Sequence, residues 1–162
     1  MKMKGIEPIV AAVLLIVLAV IGAVLLYLWF AGYVTQATTQ ASQISTTERL
    51  SIEAANLTYT TTRGTYSYLY IRNIGGTNVT LATAYLLQPG STNPICAISS
   101  NGITIYNGLS TTATQVTTLY PGQDQLVYVN FGTGCAISHG YTYVIKLVTQ
   151  QGTQFSVTVT AS

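Results

Sequence analysis

The chain has 162 residues and a formal net charge of +2, and charged side chains make up only 6% of it. Soluble proteins contain about 25% charged residues, so this composition points toward a membrane. Nucleic-acid binding needs a clustered basic face, and so small a charge excludes it as the main activity. The length allows one domain and an accessory segment.

The N-terminal segment is basic for a few residues and then strongly apolar. Lys2 and Lys4 precede a run, Ile9–Val34, in which only Gly22 and Gly32 fall outside the apolar and aromatic types. A helix of that length spans roughly 39 Å, more than the ~30 Å hydrocarbon core of a bilayer, and it lacks a polar stripe. The run therefore predicts a transmembrane helix with a cytoplasmic N-terminus, because lysines favour that side.

A cleaved secretory peptide is the alternative interpretation of this run. Such a peptide has an apolar stretch of about 7–15 residues, followed by small residues at the cleavage site. Here the run is longer, and Trp29-Phe30 stands where small residues are needed. We therefore expect the helix to remain on the mature chain, with its aromatic rings at the outer membrane interface.

The polar segment after the run is open to two interpretations. Val34, Ala37, Ala41 and Ile44 recur three or four positions apart, which favours a helix that continues to about 46–50. Threonine, serine and glutamine are also common in flexible linkers, and threonine is a poor helix former. We predict a helix and neck over residues 6–50, with a linker as the alternative.

Residues 51–162 have the pattern of antiparallel strands. Turn pairs such as Arg63-Gly64 recur at short intervals, and β-branched and aromatic segments with a period of two lie between them. In "YTYVIKLVT" the expected core face includes Tyr141. Roughly seven or eight short strands over this length predict an immunoglobulin-like antiparallel β-sandwich head. The predicted fold class is therefore α+β, a long hydrophobic N-terminal α-helix followed by this head.

Cys96 and Cys135 are the only cysteines, and both fall in the head, which the N-terminal lysines place outside the membrane. An even cysteine count in an oxidising compartment favours a disulfide. A bridge that closes so long a loop contributes roughly 3–4 kcal/mol in the chain-entropy model. Two free buried thiols are the alternative, and we predict the disulfide.

The chain offers little for enzymatic chemistry. It has one histidine and four carboxylates, and Asp124 and His139 stand apart in turn sequences of the head. Acid–base pairs, metal-ligand clusters and phosphate-binding glycine loops are missing from the sequence. We therefore expect neither an enzyme nor a cofactor, a metal site or a small-molecule substrate.

Two sequons indicate that the head is modified. Asn56 and Asn78 each begin an N-glycosylation sequon, Asn56-Leu57-Thr58 and Asn78-Val79-Thr80. Sugar at these positions would hydrate a surface that is poor in charge. The alternative for Asn78 is a residue that merely closes the preceding glycine turn.

A run of alternating tyrosines indicates a contact surface. If Leu69 and Ile71 of "SYLYIRN" face the core, then Tyr66, Tyr68 and Tyr70 form an outward tyrosine stripe. Exposed aromatic residues in a row are typical of contact surfaces. In the reversed register the tyrosines are core residues instead.

The opening stretch, "KMKGIEPIV", joins these elements into one pattern. The order of these parts resembles that of the archaeal type IV pilins: a short basic leader, a glycine, a long apolar helix and a β-sandwich. Archaeal flagellins begin with a leader of the same kind. Head segments such as "YLYIRNIGGTNVTL" and "LYPGQDQLVYV" are similar to strand-and-turn passages of those proteins. The resemblance implies a class III signal peptide, residues 1–5, which a prepilin peptidase cuts between Gly5 and Ile6.

The resemblance also implies how the helix is used. It is stored in the membrane and then packs against copies of itself in a helical filament, with the pilus assembly machinery as a partner. Glu7 faces the positive end of the helix dipole and is the second mature residue, whereas bacterial type IV pilins carry their acidic residue at the fifth. Small residues allow helices to approach closely, and the candidates here are Ala11, Ala12, Ala19, Gly22 and Ala23.

Together these features predict a structural subunit of an extracellular type IV pilus-like filament that polymerises through its N-terminal helix and serves in surface adhesion. The predicted divisions are a leader at 1–5, the helix and neck at 6–50, and the head at 51–162. The expected partners are copies of the chain and, before assembly, the membrane. The alternative is a single-pass membrane-anchored β-sandwich that acts as an extracytoplasmic binding or adhesion module.

Overall fold

The computed structural model describes residues 6–45 and 47–162. The chain divides after Ile44 into two compact units, an N-terminal helix and a β head.

The first unit is one long α-helix, α1, which runs from Ile6 to Ser45. Its 40 residues extend about 60 Å. Glu7 lies in its first turn, where a carboxylate offsets the positive end of the helix dipole. The helix continues through the polar segment to Ser45, so the prediction of a continued helix is confirmed and the linker interpretation is wrong.

The helix is long and apolar enough to cross a membrane. The segment Glu7–Thr35 has 29 residues, and its most apolar stretch of 18 residues has a mean hydropathy of 3.3. Its large apolar side chains are exposed in the single chain, and they lie on all sides of the helix. A soluble helix would bury one stripe of these residues and expose polar ones on the opposite face.

The second unit consists of β-strands joined by short turns. Among residues 47–162 there are nine strands, slightly more than the pattern predicts. They are β1 Leu50–Thr60, β2 Gly64–Asn73, β3 Leu81–Leu87, β4 Pro94–Ser99, β5 Ile103–Tyr106, β6 Gln115–Val116, β7 Asp124–Gly132, β8 Thr142–Thr149 and β9 Gln154–Thr160. A short 3-10 turn, Ser100–Gly102, connects β4 to β5.

The strands form two antiparallel sheets. The five-stranded sheet has the order β1-β2-β7-β5-β6, and the four-stranded sheet has the order β4-β3-β8-β9. Their inner faces pack together in one hydrophobic core. This arrangement confirms the β-sandwich head and the α+β fold class.

Alternation along the central strands decides which residues form this core. Leu69 and Ile71 on β2, Val127 on β7, and Ile145 on β8 are all buried. The prediction that Tyr141 lies on the core face is wrong. This residue precedes β8, and it is 67% exposed.

The hairpin between β1 and β2 depends on a glycine. Gly64 has a φ of +75°, and a Cβ at this position would lie 2.1 Å from the carbonyl oxygen of Gly132. Both the left-handed backbone and the close approach of β7 require a residue without a side chain. The turn pair Arg63-Gly64 is therefore a hairpin turn, as the sequence predicts.

The segment before β1 is fastened to the head. The carbonyl of Arg49 accepts a hydrogen bond from the N–H of Gly75 at 3.1 Å. A Cβ on Gly75 would lie 2.7 Å from the carbonyl oxygen of Thr47, so glycine allows the two backbones to approach. Glu48 is buried, and its Oε2 accepts a hydrogen bond from the hydroxyl of Thr149.

Asn73, at the end of β2, is fully buried and holds the neighbouring loops in place. Its Nδ2 donates to the carbonyl of Thr77 at 2.7 Å and to that of Leu119 at 2.9 Å. Its Oδ1 accepts from the N–H of Gly75 at 2.9 Å. Three hydrogen bonds from one side chain therefore connect the β2–β3 connection to the segment before β7.

Replacing Asn73 with alanine is expected to destabilise the head by about 3 kcal/mol, because it removes three hydrogen bonds of about 1 kcal/mol each from a buried site. Chemical denaturation of the full chain in detergent, followed by the circular dichroism of the strands, measures this loss.

Ser67→Ala is the matched control on the same strand. Ser67 is also fully buried, but its Oγ has no hydrogen-bond partner among the described residues. Its removal is expected to leave the free energy of unfolding unchanged or raise it by about 1 kcal/mol. Equal losses for the two variants would contradict the role of the Asn73 hydrogen bonds.

Candidate functional site

The helix presents the first candidate surface. At 3.6 residues per turn, Ala11, Ala12, Ala19, Gly22 and Ala23 fall within an arc of about 120° on α1. A Cβ built at Gly22 meets nothing within 4 Å in the single chain. The small residues that the sequence selects therefore share one face, and that face is open in the isolated subunit.

Aromatic residues mark the C-terminal part of the apolar segment. Trp29 and Tyr33 stack with ring centroids 6.0 Å apart and an interplanar angle of 13°. The neighbouring rings of Tyr27 and Phe30 are exposed as well. Amphipathic rings of this kind prefer the boundary between lipid and water.

The N-terminal leader lies outside the described residues. This applies to Gly5 and to the two lysines that precede it, so the predicted cleavage between Gly5 and Ile6 stays a prediction. Glu7, the residue after Ile6, is exposed in the first turn of α1.

The outer face of the five-stranded sheet is the second candidate surface. Leu69 and Ile71 point into the core, so Tyr66, Tyr68 and Tyr70 occupy the opposite face of β2, where each is half-buried. The register with outward tyrosines is therefore the observed one, and the reversed register is wrong.

A fourth tyrosine from a neighbouring strand joins two members of the stripe. Tyr128 on β7 lies directly opposite Tyr68 in the strand register. The Tyr128 ring centroid is 5.1 Å from that of Tyr68 and 6.0 Å from that of Tyr66. The rings of Tyr66 and Tyr68 meet edge to face at 5.8 Å. We call Tyr66, Tyr68 and Tyr128 the tyrosine cluster.

Sequence reasoning missed Tyr128 as a member of this surface. Its position between Val127 and Val129, two core residues, already places it on the outer face of β7. The pairing of β7 with β2 decides that it stands beside Tyr68, and no local pattern in the sequence specifies that pairing.

The cluster alters the acidity of its central member. Burial raises the pKa of the Tyr128 hydroxyl above its ordinary value of 10.0, and the neighbouring Tyr68 raises it further, while Arg63 lowers it. Both effects that raise the pKa disfavour a phenolate in a partly desolvated group of rings.

The cluster borders a groove on the same face. This groove, of about 360 Å³, is lined by Thr104, Tyr128, Asn130, Ile98 and the turn residues Asn101 and Gly102. Its polar groups are amides and hydroxyls, which donate and accept hydrogen bonds without carrying charge.

Both sequons lie at exposed positions. Asn56 is on β1, with Leu57 buried between Asn56 and Thr58, so the two polar residues face outward. The hydroxyl of Thr58 donates to Oδ1 of Asn56 at 3.2 Å. Asn78 lies in the connection between β2 and β3, next to the buried Val79. Modification of either asparagine stays a prediction.

The predicted disulfide is present. Cys96 on β4 is bonded to Cys135, which follows β7, and their Cα atoms are 5.9 Å apart. The carbonyl of Cys135, a buried residue, accepts a hydrogen bond from the hydroxyl of Thr65. Because β4 and β7 belong to different sheets, the bond connects the two layers of the sandwich.

The charged and titratable residues of the head are dispersed. Within residues 6–45 and 47–162 no group of three or more His, Cys, Asp and Glu side chains could hold a metal ion. Asp124 is the first residue of β7, not a turn residue as predicted, and lies 3.6 Å from Arg72 in an exposed ion pair. Exposed pairs of this kind contribute little stability. His139 lies in an exposed turn, as the sequence predicts.

Comparisons with known proteins give matches among solved structures. The chain is similar to the archaellum periplasmic stator protein FlaG from Sulfolobus acidocaldarius, with 21% identity, a TM-score of 0.44, and coverage of 69% of this chain and 99% of that one. It is similar to the archaeal flagellum of Methanospirillum hungatei strain JF1, with 22% identity, a TM-score of 0.47, and coverage of 95% and 93%.

A third similar structure is the Iho670 flagellar-like filament, with 15% identity, a TM-score of 0.46, and coverage of 95% of this chain and 98% of that one. No family model matches the chain, and no curated protein matches it. All three likenesses are low in identity and TM-score, so no property of those proteins is transferred to this chain.

The raised pKa of Tyr128 predicts a specific loss of stability in alkali. A tyrosine with a higher pKa in the folded than in the unfolded chain stabilises the fold fully below the unfolded pKa. That contribution is lost as the pH rises through the folded pKa. We expect the free energy of unfolding to fall above about pH 10, and to fall less steeply in Tyr128→Phe. Denaturation of both proteins at several pH values measures the slopes, and identical slopes would contradict the shift.

Proposed function

We propose that this chain is the structural subunit of an extracellular filament of the type IV pilus kind, a pilin of the archaeal type. In this proposal residues 1–5 are a leader, residues 6–50 are the filament-forming helix and neck, and residues 51–162 are a head on the filament exterior. The precursor waits in the cell membrane with its N-terminus in the cytoplasm, and the assembled filament serves in surface adhesion.

The observation that carries this proposal is the exposed apolar helix. The most apolar 18 residues of Glu7–Thr35 have a mean hydropathy of 3.3, and the large apolar side chains of this segment are exposed. Soluble monomers rarely expose contiguous apolar patches beyond a few hundred Å². In this proposal lipid covers the helix before assembly. In the filament, other copies of the same helix cover the apolar side chains in place of lipid.

The small-residue face supports close packing between these copies. Ala11, Ala12, Ala19, Gly22 and Ala23 lie on one side of α1, where small side chains favour close approach of backbones. The exposed Leu15 and Leu26 lie in the same arc and would pack into the spaces that these small residues leave. A single helix contact repeated head to tail does not close on itself and therefore gives an open helical polymer. Glu7 beside the amine of a newly exposed Ile6 would offset the cost of burying either charge alone.

The head supports a role on the exterior. Its disulfide is typical of oxidising compartments. Its outer face presents the tyrosine stripe, and we propose that this face of the head serves in adhesion. Assembly would require a prepilin peptidase and the pilus assembly machinery as partners.

Added volume at the small-residue face is expected to block assembly. Gly22→Leu and Ala19→Leu keep the segment apolar and raise or keep its helix propensity, so membrane insertion is expected to be normal. Because packed interiors tolerate added volume poorly, filament yield is expected to fall at least about tenfold, which corresponds to a cost of ~1.4 kcal/mol per contact. Filaments sheared from cells and counted by electron microscopy give the yield.

Gly32→Leu is the matched control for this experiment. Gly32 is another helical glycine with nothing within 4 Å of an added Cβ, and it lies about 120° around the helix from the centre of the small-residue face. Its substitution is expected to reduce the yield much less. Two results would contradict the filament proposal: an unchanged yield when Gly22→Leu and Ala19→Leu are combined, or no filaments from the unmodified protein. Either result would favour the alternative, a membrane-anchored binding or adhesion module.

Processing of the leader is a separate prediction. Cleavage between Gly5 and Ile6 is expected to give a mature chain that begins at Ile6. Gly5→Leu is expected to leave the precursor in the membrane, because the bulky side chain occupies the position before the cut. N-terminal peptide mapping of filaments distinguishes the outcomes, and filaments built from chains that begin at Met1 would contradict the prediction.

A further inference from the structure

One sequon lies in line with the tyrosine cluster. Asn56 on β1 is directly opposite Tyr68 on β2, Tyr68 is opposite Tyr128 on β7, and Tyr128 is opposite Thr104 on β5. Residues paired in this way lie on the same face of a sheet. The four residues therefore form one transverse row across the outer face.

The row is long enough to receive a short oligosaccharide. Adjacent strands are about 4.8 Å apart, so the three intervals between Asn56 and Thr104 span roughly 14 Å. The row ends at the groove lined by Thr104, Tyr128 and Asn130. An asparagine, two aromatic rings and a polar groove thus follow one another in a line.

The Asn56 side chain is held in a defined orientation. Its Oδ1 accepts hydrogen bonds from the hydroxyls of Thr58 at 3.2 Å and Ser162 at 3.1 Å. These two hydrogen bonds occupy Oδ1. The other polar atom of the amide, Nδ2, is the atom to which a glycan would be attached. Asn56 as a whole residue is exposed.

The chemistry of the face suits a neutral sugar. Aromatic rings carry a negative face, which attracts the weakly positive C–H groups on the flat side of a pyranose ring. The row and the neighbouring Tyr66 and Asn130 carry no formal charge, and they supply phenol, hydroxyl and amide groups for hydrogen bonds to sugar hydroxyls. The charged side chain that acts on the row is Arg63, which lowers the pKa of Tyr128, and the row residues themselves are neutral.

We propose that Asn56 carries an N-linked glycan that lies along the transverse row, packed on Tyr68 and Tyr128 and reaching the groove beside Thr104. The inference rests on the proposed exterior placement of the head. The surface that this face presents for adhesion is then the glycan, and the tyrosines hold it in place. Asn78 lies in the connection between β2 and β3, outside this row, so a glycan there is not expected to contact the cluster.

The modification step is a substitution at a sugar carbon. Nδ2 of Asn56 forms a bond to the anomeric carbon of an activated glycosyl-phosphate donor, and the carbon–oxygen bond to the phosphate breaks. The phosphate leaves with the electron pair, and the amide nitrogen loses one proton to a base of the transferring enzyme. The donor and that enzyme belong to the host and not to this chain.

The test compares tyrosine accessibility in chains with and without the glycan, using full-length protein purified from its own host in detergent. Mass spectrometry of peptides gives the occupancy of Asn56. Tetranitromethane then probes ring accessibility, because it nitrates exposed tyrosines. We expect nitration of Tyr68 and Tyr128 to rise at least about threefold in Asn56→Gln and Thr58→Ala, which both abolish the sequon. Tyr141, which is 67% exposed, is the internal control and is expected not to change.

Thr58→Ser is the matched control, because it keeps the sequon and changes the same position. It is expected to retain the glycan and the protection of both rings. Asn78→Gln is expected to leave the nitration of Tyr68 and Tyr128 unchanged whatever the occupancy of Asn78.

Thermal unfolding of the same proteins gives a second measurement. Tyr68→Ser is expected to lower Tm more when the glycan is present than in the Asn56→Gln background, with a difference on the order of 3 °C between the two. The combination of Tyr68→Ser with Asn78→Gln is expected to be additive.

An unmodified Asn56 overturns the proposal, as does an occupied Asn56 whose removal changes neither ring protection nor the effect of Tyr68→Ser. Filament yield is counted on the same samples. Protected rings in a protein that forms no filaments would overturn the proposed function and leave the glycan inference standing.

Discussion

An apolar helix that its own chain leaves uncovered is the constraint from which the other properties of this protein follow. Water cannot be its permanent surrounding, because burial of apolar surface is the main favourable term in folding and association. The segment Glu7–Thr35 of α1 is strongly apolar, and we proposed above that lipid and then like helices cover it. The small residues of α1 lie on one side of the helix. Beyond the apolar segment, the helix continues as a polar stretch to Ser45.

The head has its own stabilising interactions. Two sheets bury a continuous core of Leu, Ile and Val side chains, and the Cys96–Cys135 bond joins the layers. The side chain of the buried Asn73 holds the loops that meet at the end of β2. The core, the disulfide and the hydrogen bonds of Asn73 all lie within residues 47–162.

The scarcity of charge gives the head surface its character. Charged residues make up only 6% of the chain, and the outer face of the five-stranded sheet around the tyrosine cluster presents phenols, hydroxyls and amides, with the Arg72–Asp124 ion pair further along β2 and β7. Such groups recognise neutral partners through ring contacts and hydrogen bonds. The raised pKa of Tyr128 reflects the same environment, because closely packed rings with little solvent disfavour a phenolate.

The sequence by itself determined what depends on neighbouring residues along the chain. The continuous apolar run specified α1, alternation along the chain specified the faces of β2, and glycine pairs marked turns between strands, because all three are local properties of the sequence. The disulfide could be predicted because the head has only two cysteines. Only the tertiary structure decided the order of strands in each sheet, the buried role of Asn73, the exposure of Tyr141, and the row from Asn56 through Tyr68 and Tyr128. These features arise from pairing between strands distant in sequence, and that pairing is selected by the packing of the whole core.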